Sequence, residues 1–502
     1  MKLTITSPTK AFLQSYDEDE LFDLRKALTY TNTSVKHLIK RHYGNQFWKS
    51  RNEFTWQIHL DGLQKDLKKC LVFEEDGKFY IRPGSIPYLQ HCFNLEVENQ
   101  VVYPTPKRFL WKRPLPFELH PYQKRSGENL PAERHSNVSL TTGSGKSAII
   151  IALCQQLGLD AVIVVPSKSI FEELAEKFEY HFGSKYVGLF GAGKKKLGKK
   201  FTIAIGDSLA NIEPGSEEDL FFSTRQVLLV DESHEFAAES LEQVCHGTLA
   251  PIPYRFFFSA TQIRNDGSGP LLQSIIGRTV CTLTTAEAVR MGYICPHDFR
   301  IVSIESSNPN FESSDPLEIK REHLLKNRNI ASFCAKLANA MAGQGKGTLI
   351  LVEELSQLSM LLPLLKVPYV IAHSEKRKER LEELGIPKVD NAKSVESFNK
   401  GEAMVIAGTS CIATGTNIFP CHNVVNWRGG SSPIKTKQGA VGRAVRFGRS
   451  NPWAKNWKIP KDKATIYDFD IEDNYVLSRH LESRLECYRE SETEIKYVRL
   501  KI

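Results

Sequence analysis

The sequence predicts an α/β protein in which two parallel-sheet domains follow each other, preceded by a small α+β domain. Short apolar runs without polar alternation recur at residues 161–165, 226–230, 348–352, 402–408 and 464–469. Amphipathic segments such as residues 168–182 separate them. Apolar strands divided by helices are typical of parallel sheets covered on both faces, and the strands suffice for two such sheets.

Length and composition agree with a globular protein of several domains. The chain has 502 residues, of which 41% are hydrophobic and 25% charged. A chain of this length exceeds one hydrophobic core, so we expect two to four domains. The formal net charge of +8 permits a polyanionic partner without requiring one.

Two interruptions of the pattern predict the domain boundaries. Residues 103–123 contain five prolines, and Gly292 and Pro296 break the segment 290–299. The predicted domains are therefore residues 1–105, 106–295 and 296–502. The first of these is a separate unit of mixed structure.

The remaining compositional signals predict an intracellular protein. The first residues lack the apolar core of a signal peptide, and prolines and a lysine interrupt the apolar run 360–372. The ten cysteines contain no C-x-x-C pair, so we expect buried, reduced thiols and no membrane span.

The segment "LTTGSGKS" at residues 140–147 lies between a predicted strand and a predicted helix, where a phosphate-binding loop belongs. Glycines let backbone N–H groups turn toward phosphates, Lys146 supplies a positive charge and Ser147 a hydroxyl for Mg²⁺. We expect Lys146 on the surface of the loop. Leu140 stands where the usual pattern has its first glycine, so a chance match is the alternative. The predicted nucleotide-binding residues here are Thr142, Gly143, Ser144, Gly145, Lys146 and Ser147.

The segment "VLLVDESHEF" at residues 227–236 predicts the second half of a nucleotide-hydrolysing site. An apolar strand delivers two carboxylates at its carboxyl end, where ligands of open α/β sheets bind. Asp231 would hold Mg²⁺, and Glu232 would orient and deprotonate the attacking water. Taken alone, an acidic pair after a strand is usually a solvated loop or a helix cap.

Two arginines predict a contribution from the second half of the chain. Arg443 and Arg446 are three residues apart, inside a stretch from Ala403 to Lys461 that contains no Asp or Glu. Arginines directed at a γ-phosphate stabilise the charge of the transition state. We therefore expect the nucleotide to bind in a cleft between two sheets. The alternative is a solvated basic helix face.

In order and spacing, these motifs resemble those of the superfamily-two helicases and translocases. The resemblance rests on "LHPYQ" (119–123), "VVPSKSI" (164–170), "FFFSAT" (256–261), "IAGTSCIATGTNI" (406–418) and "QGAVGRAVR" (438–446). It implies two RecA-like motor domains that use ATP and Mg²⁺. It further implies that Gln123 reads adenine and that Gly415 contacts nucleotide. The residues that the resemblance assigns to coupling are His234, Ser259, Ala260, Thr261 and Gln438.

Within that superfamily, the sequence "DESH" at residues 231–234 argues against the DEAD-type RNA helicases. The segments "MGYICP" (291–296) and "ATIYDFDIEDN" (464–474) resemble the group that contains restriction translocases, the XPB type and UvsW. The N-terminal segment "RHYGNQFWKSRNEF" (41–54) is most similar to phage recombination helicases of the UvsW type. That resemblance implies a monomer acting on branched DNA in a host cytoplasm, with other recombination proteins as possible partners. Asn417 stands where many relatives carry Asp.

Candidate DNA contacts follow strand ends and cluster near the N-terminus. Hydroxyls and N–H groups at strand ends suit phosphate oxygens without reading bases. Basic residues among aromatic rings suit an exposed base at a branch point, although Trp48 would equally fit a small core. The predicted DNA-binding residues are Ser167, Lys168, Thr409, Ser410, Lys40, Arg41, Trp48 and Lys49. The lysine-rich segment 191–200 is expected to be a loop.

Four functions are compatible with these motifs. The first is an ATP-driven DNA motor that remodels forks, displacement loops and four-way junctions. The others are an RNA helicase, a nuclease-coupled motor and a clamp that uses ATP as a conformational ligand. Glu232 together with both arginines argues against the clamp.

Overall fold

The computed structural model describes residues 1–44, 46–260, 267–412, 417–432 and 436–499, without the side chains of Ser34, Gln46, Phe47 and Gln438. These residues form two compact units. One contains Met1–Leu140 and Gly145–Thr282, and the other contains Thr141–Ser144 and Leu283–Ile502. The three predicted domain ranges remain predictions.

The N-terminal part of the first unit is an α+β layer. A mixed sheet of order β5-β6-β2-β1-β7 is accompanied by the two-stranded ladder β3-β4. The strands are β1 Lys2–Ser7, β2 Lys10–Ser15, β3 Thr29–Thr31, β4 Lys68–Cys70, β5 Phe73–Glu75, β6 Lys78–Ile81 and β7 Glu96–Asn99. The helices are Glu18–Ala27, Thr33–Gly44, Gln46–Arg51, Glu53–Leu67 and Ile86–Cys92.

The rest of the first unit is built on an eight-stranded sheet of order β11-β10-β12-β9-β13-β14-β8-β15. Its strands are β8 His135–Leu140, β9 Ala161–Val165, β10 Val187–Gly191, β11 Lys194–Lys196, β12 Phe201–Ile205, β13 Val227–Val230, β14 Tyr254–Ser259 and β15 Arg278–Leu283. The six strands from β10 to β8 in that order run parallel, while β11 is antiparallel to β10. The helices are Pro121–Glu133, Lys146–Leu157, Lys168–Phe182, Gly206–Ala210, Glu217–Ser223, Ala238–His246 and Gly269–Ile276.

One hydrophobic core joins the N-terminal layer to this sheet. Leu3, Ile81 and Leu89 belong to the same buried cluster as Leu241 and Ile275. At the junction Arg82 is 5% exposed, forms an ion pair with Glu242 and donates to Ser274 Oγ at 3.2 Å. The N-terminal layer is therefore packed onto the first parallel sheet as part of a single body.

The second unit contains a parallel sheet of order β18-β19-β17-β20-β21-β16-β22. Its strands are β16 His297–Ile304, β17 Thr348–Leu351, β18 Tyr369–Ala372, β19 Val405–Gly408, β20 Asn423–Asn426, β21 Ala464–Ile471 and β22 Ile495–Arg499. The helices are Thr285–Arg290, Pro316–Lys320, Arg328–Gly343, Leu355–Leu361, Lys378–Glu383, Asn391–Lys400, Gly442–Ala444 and Tyr475–Arg489. The fully buried Trp427 belongs to its core.

The predicted fold class is confirmed: an α+β layer precedes two parallel sheets. Two smaller expectations were wrong. The lysine-rich segment 191–200 contains the edge strand β11, paired with β10, and Lys195 forms an ion pair with Glu218. All ten cysteines are free, but Cys70 and Cys92 are exposed.

Among the described residues, no helix combines the length and apolar character needed to cross a bilayer.

Candidate functional site

The glycine-rich loop connects the end of β8 to the start of the helix Lys146–Leu157. Gly143 and Gly145 adopt φ values of +84° and +81°, which L side chains rarely adopt. A Cβ added to Gly145 would also lie 2.7 Å from the Nε2 of Gln123. The backbone conformation therefore favours glycine at position 145, and a Cβ there would displace the amide of Gln123. The resulting loop presents N–H groups at a helix N-terminus, an arrangement that binds anions.

Lys146 is buried, with 6% of its surface exposed. Its Nζ lies 3.0 Å from Oε1 of Glu232 and donates to the Leu140 carbonyl at 3.4 Å. The expectation of a surface lysine was therefore wrong. A buried ammonium requires an anion or hydrogen-bond acceptors, and both are present here.

The two carboxylates follow β13, whose four residues are all buried. Asp231 is 4% exposed, and its N–H donates to the Val164 carbonyl of the neighbouring strand at 2.9 Å. Burial and the adjacent Glu232 carboxylate raise the pKa of Asp231 to about 7. Burial would raise the pKa of Glu232 as well, but Lys146 and His234 bring it below its ordinary value. At neutral pH Glu232 is therefore the more fully ionised carboxylate.

Glu232 also has a strained backbone. Its φ of +48° lies in the left-handed region, where a residue with a side chain costs about 1–3 kcal/mol. This conformation turns the chain sharply between β13 and the short 3₁₀ segment Ser233–Glu235. As a result, the side chain of Glu232 reaches both Lys146 and His234.

His234 connects the carboxylate to a neighbouring strand. Its Nδ1 lies 3.5 Å from Oε2 of Glu232 and 2.9 Å from Oγ of Ser259. Ser259 is the last residue of β14, and the buried Ala260 follows it. Thr261, the third residue of that predicted motif, lies outside the described residues. The contacts make a continuous path from the end of β14 to Glu232.

Gln123 is buried in the first turn of the helix Pro121–Glu133. Its Oε1 accepts a hydrogen bond from the N–H of His120 at 2.9 Å. Its amide nitrogen occupies the space that a side chain at Gly145 would need, 2.7 Å from the position of an added Cβ. Gln123 thus fixes the start of its own helix and contacts the glycine-rich loop.

In the second unit, Arg443 and Arg446 differ in their surroundings. Arg443 is 3% exposed and donates through Nε to the Ile412 carbonyl at 3.1 Å. Arg446 is half-buried, donates to Oδ1 of Asn417 and lies 5.9 Å from the centre of the Phe419 ring. Asn417 therefore accepts a hydrogen bond from Arg446 through a neutral amide oxygen, where an aspartate would offer a charged carboxylate. Gly415 and the side chain of Gln438 lie outside the described residues.

Sequence reasoning missed Lys461, which supports the segment carrying both arginines. Lys461 is 2% exposed, and burial lowers its pKa. Its Nζ donates to the carbonyls of Ala444, at 2.7 Å, and of Arg443 and Arg446. No local signal marks this role, because the contact joins residues at least 15 positions apart.

The strand-end candidates lie after β9 and β19. Ser167 caps the helix Lys168–Phe182 by accepting from the Ile170 N–H, and the exposed Lys168 lies 3.7 Å from Glu172. Thr409 directly follows β19, and Ser410 beside it is exposed. Each pair is thus at the carboxyl end of a parallel strand.

The N-terminal candidates lie on helices of the α+β layer. Lys40 and Arg41 are exposed on the helix Thr33–Gly44. Trp48 is half-buried, with its ring centre 5.0 Å from that of His42, and Lys49 Nζ lies 5.0 Å from the ring centre of Trp56. Trp48 therefore packs within this layer while part of its surface remains accessible.

Two protein-family models match the chain. Residues 116–264 match the family described as type III restriction enzyme, res subunit. Residues 329–448 match the helicase conserved C-terminal domain. Each match covers residues of the nucleotide site or of the arginine segment described above.

Individual proteins similar to the chain include two from archaeal systems. The DNA 3′-5′ translocase XPB2 of Sulfurisphaera tokodaii is 23% identical over 240 residues, 47% of this chain. The chain thereby spans about half, 51%, of that relative's length. "Putative helicase 22" of Sulfolobus islandicus filamentous virus is 22% identical over 453 residues, which cover 84% of this chain and 78% of that protein.

Solved structures with a similar fold include two further proteins. Mss116p bound to single-stranded RNA and AMP-PNP aligns over 76% of this chain and 75% of its own, with 16% identity and a TM-score of 0.52. The structure of UvsW of phage T4 aligns over 100% of this chain and 99% of its own, with 14% identity and a TM-score of 0.40.

Proposed function

Because the chain belongs to the superfamily-two helicases, we propose that it is an ATP-dependent DNA helicase or translocase that remodels branched DNA. Its two matched domains indicate ATP-dependent helicase activity and nucleic-acid binding. Beyond that activity, we propose that the substrate is DNA, that branched DNA is preferred, and that individual residues have the roles given below.

The observation that carries the proposal is the contact of Lys146 with Glu232 beside the glycine-rich loop. In this contact a phosphate-seeking cation and a candidate base neutralise each other. A nucleotide entering the loop would draw Lys146 toward its β- and γ-phosphates. Glu232 would then be released to orient the attacking water and accept its proton.

Ser147 and Asp231 would hold Mg²⁺. Both offer oxygen ligands, which this hard cation prefers. Asp231 is a buried carboxylate next to Glu232, and Lys146 forms an ion pair with Glu232. This surplus of buried negative charge fits a divalent cation. When bound, the ion supplies charge neutralisation to the phosphate oxygens.

Arg443 and Arg446 are proposed to stabilise the charge that develops on the transferred γ-phosphoryl group. Gln123 is proposed to read adenine. The path from Glu232 through His234 to Ser259 supports a coupling role, because it connects the candidate base to a strand end. Ala260, Thr261, Gly415 and Gln438 keep the roles that the family resemblance implies.

DNA is preferred over RNA on two grounds. One relative is named as a DNA translocase, and the sequence after β13 reads "DESH". Ser167, Lys168, Thr409 and Ser410 are proposed to contact phosphates of the tracked strand, in a sequence-independent manner. RNA helicase activity remains the second candidate, since proteins bind single-stranded RNA and single-stranded DNA through the same phosphate contacts and base stacking.

The N-terminal layer is proposed to recognise the branch. Lys40 and Arg41 are exposed cations, and Trp48 and Lys49 lie close by on the next helix. Because this layer shares a core with the first parallel sheet, it would hold the branch at a fixed position relative to that sheet. Phosphate contacts and partial stacking on Trp48 suit an opened junction.

The test is unwinding of a labelled four-way junction and of a matched linear duplex by the full chain with ATP and Mg²⁺. We expect ATP-dependent separation of the junction at least about tenfold faster than of the duplex. Glu232→Gln should bind both DNAs and separate neither. Equal rates on junction and duplex would remove the branched-DNA role. Separation of an RNA duplex of matched length, with neither DNA separated, would establish the second candidate.

A further inference from the structure

A groove of about 770 Å³ lies at the end of the first parallel sheet where its strands begin. The nucleotide site lies at the opposite end, where the strands finish. Its walls contain Gly158, Tyr186 and Lys200, which precede or directly adjoin the starts of β9, β10 and β12. Asp231 and the glycine-rich loop instead follow the ends of β13 and β8. Since these strands run parallel, the groove is separate from the proposed ATP site.

One wall of the groove is residues 107–112, which we call the strap. Its backbone is bound to the ends of two helices: Lys107 N–H donates to Leu157 O at 2.9 Å, and Lys112 N–H donates to His181 O at 2.9 Å. A Cβ added to Gly158, where φ is +57°, would lie 1.8 Å from the Lys107 carbonyl oxygen. The close approach of the strap therefore depends on a glycine, and its backbone holds it in place.

The groove is strongly basic. Its lining includes Lys107, Arg108, Lys112, Lys185 and Lys200 and no carboxylate. Lys200 lies 3.2 Å from Asp160. Within the described ranges, the other four cations form no ion pair, and all four side chains are exposed.

Aromatic rings lie among these cations. Trp111 is half-buried and packs parallel to Phe182, with 5.5 Å between ring centres and 3° between planes. Phe109 lies edge-on to Tyr186 at 5.0 Å. Cations flanking a partly accessible flat ring are the features by which proteins hold a phosphate backbone and stack a base.

Basic residues also accumulate at helix C-termini, where they complement the helix dipole. The strap lies against two such ends, so this effect accounts for part of its charge. The strap backbone, however, already donates to the terminal carbonyls. The helix dipole also gives no reason for Trp111 and the 86% exposed Leu110 to border the groove.

We propose that this strap groove is a second nucleic-acid site, which holds a phosphodiester strand with Trp111 as a stacking surface. The inference rests on the proposed function. It adds a nucleic-acid contact at the end of the sheet where the strands begin, away from the candidate phosphate contacts Ser167 and Lys168 at the end where β9 finishes. The groove would hold a part of the substrate outside the tracked strand. A substrate with several arms would thereby be bound at two places on one unit.

The experiment compares the full chain with the triple variant Lys107→Ala, Arg108→Ala, Lys112→Ala. The probes are a labelled fork with long arms and a single strand of about 10 nucleotides, short enough to occupy one site. We expect fork affinity to fall about tenfold, and the slope of log K against log salt to fall by about 2 to 3, because three phosphate contacts are lost. ATP turnover stimulated by the short strand should be unchanged.

A control variant removes the same charge elsewhere. Lys366→Ala, Lys388→Ala, Lys393→Ala alters three exposed lysines of the second unit. We expect its fork affinity to change by less than about twofold and its salt slope by less than about one. A strap variant indistinguishable from this control would overturn the proposal.

The stacking role has its own comparison. Trp111→Ala should weaken fork binding about fivefold or more, whereas Trp111→Phe should keep most of the affinity because a flat ring remains. Binding of labelled polyglutamate to the wild type and to the strap triple variant is measured alongside fork binding. A triple variant that loses polyglutamate binding but keeps fork binding would identify an acidic protein segment as the occupant and refute the nucleic-acid site. A wild-type chain whose ATP turnover no nucleic acid stimulates would instead refute the proposed function together with this inference.

Discussion

Lys146 is a buried cation that forms an ion pair with Glu232, so replacing either side chain changes the environment of the other. In a buried pair, the partner left behind costs more free energy than the pair itself contributes. A simple loss of activity after substitution would therefore mix two effects, one on the reaction and one on the fold.

We predict that Lys146→Ala lowers ATP turnover at least about 100-fold, because a charge that meets the phosphates is removed. The variant should also unfold at a lower temperature, since Glu232 stays buried without its cation. Turnover and thermal unfolding should be measured on the same samples. The double variant Lys146→Ala, Glu232→Gln should recover the unfolding temperature and remain inactive. Turnover above about a tenth of wild type would refute the role of Lys146.

Lys461 allows a comparison between two neighbouring lysines. Lys461 is buried against three carbonyls of the arginine segment, whereas Lys463 is 62% exposed and paired with Asp298 at 2.9 Å. We predict that Lys461→Met lowers kcat for ATP at least about tenfold with little change in KM, because displaced arginines stabilise the transition state less well. Lys463→Met should stay near wild type. Equal effects of the two substitutions would remove the positioning role of Lys461.

At the scale of elements, the apolar strands and the two motifs that follow them were predictable from local sequence. Strands β9, β13, β17 and β21 coincide with the apolar runs, because burial on both faces leaves no room for polar alternation. The strap and the role of Lys461 were not predictable, since each depends on contacts between distant segments. The burial of Lys146 was mispredicted because a local motif does not show which anion its lysine meets.

The conformation of the glycine-rich loop depends on Gly145. Gly145 and Gly215 have similar φ values of +81° and +79°, but a Cβ would meet Gln123 only at Gly145, and nothing within 4 Å at Gly215. We predict that Gly145→Ala raises KM for ATP or lowers kcat by more than about tenfold, since the added Cβ displaces the Gln123 amide from the loop. Gly215→Ala should lose only about 1 kcal/mol of stability and retain activity. Steady-state kinetics and chemical unfolding of both variants provide the comparison. An active Gly145→Ala enzyme would contradict the loop assignment.

At the scale of the whole molecule, the N-terminal layer and the first parallel sheet are one folding body. They share a core, and Arg82 connects them through Glu242 and Ser274. A chain beginning near Arg108 would lack part of this core and part of the strap, so it would expose apolar surface in addition to losing a candidate binding layer.

We predict that Arg82→Ala lowers the free energy of unfolding by on the order of 3 kcal/mol, because Arg82 is buried and Glu242 would lose its partner. Lys10→Ala, which breaks the exposed pair with Glu75, should cost less than about 1 kcal/mol. Denaturant titrations followed by fluorescence and by circular dichroism give both values. Separate transitions for the N-terminal layer and the sheet in the wild type would contradict a shared core.

In the proposed function, the buried Lys146–Glu232 site hydrolyses ATP in response to DNA. The most direct measurement is the ATP turnover of the full chain with no nucleic acid, with single-stranded, duplex, forked and four-way DNA, and with RNA of matched length. We expect low basal turnover, at least about tenfold stimulation by DNA with the largest effect from branched forms, and no stimulation of Glu232→Gln. Turnover that is absent, indifferent to DNA, or stimulated by RNA alone would contradict it.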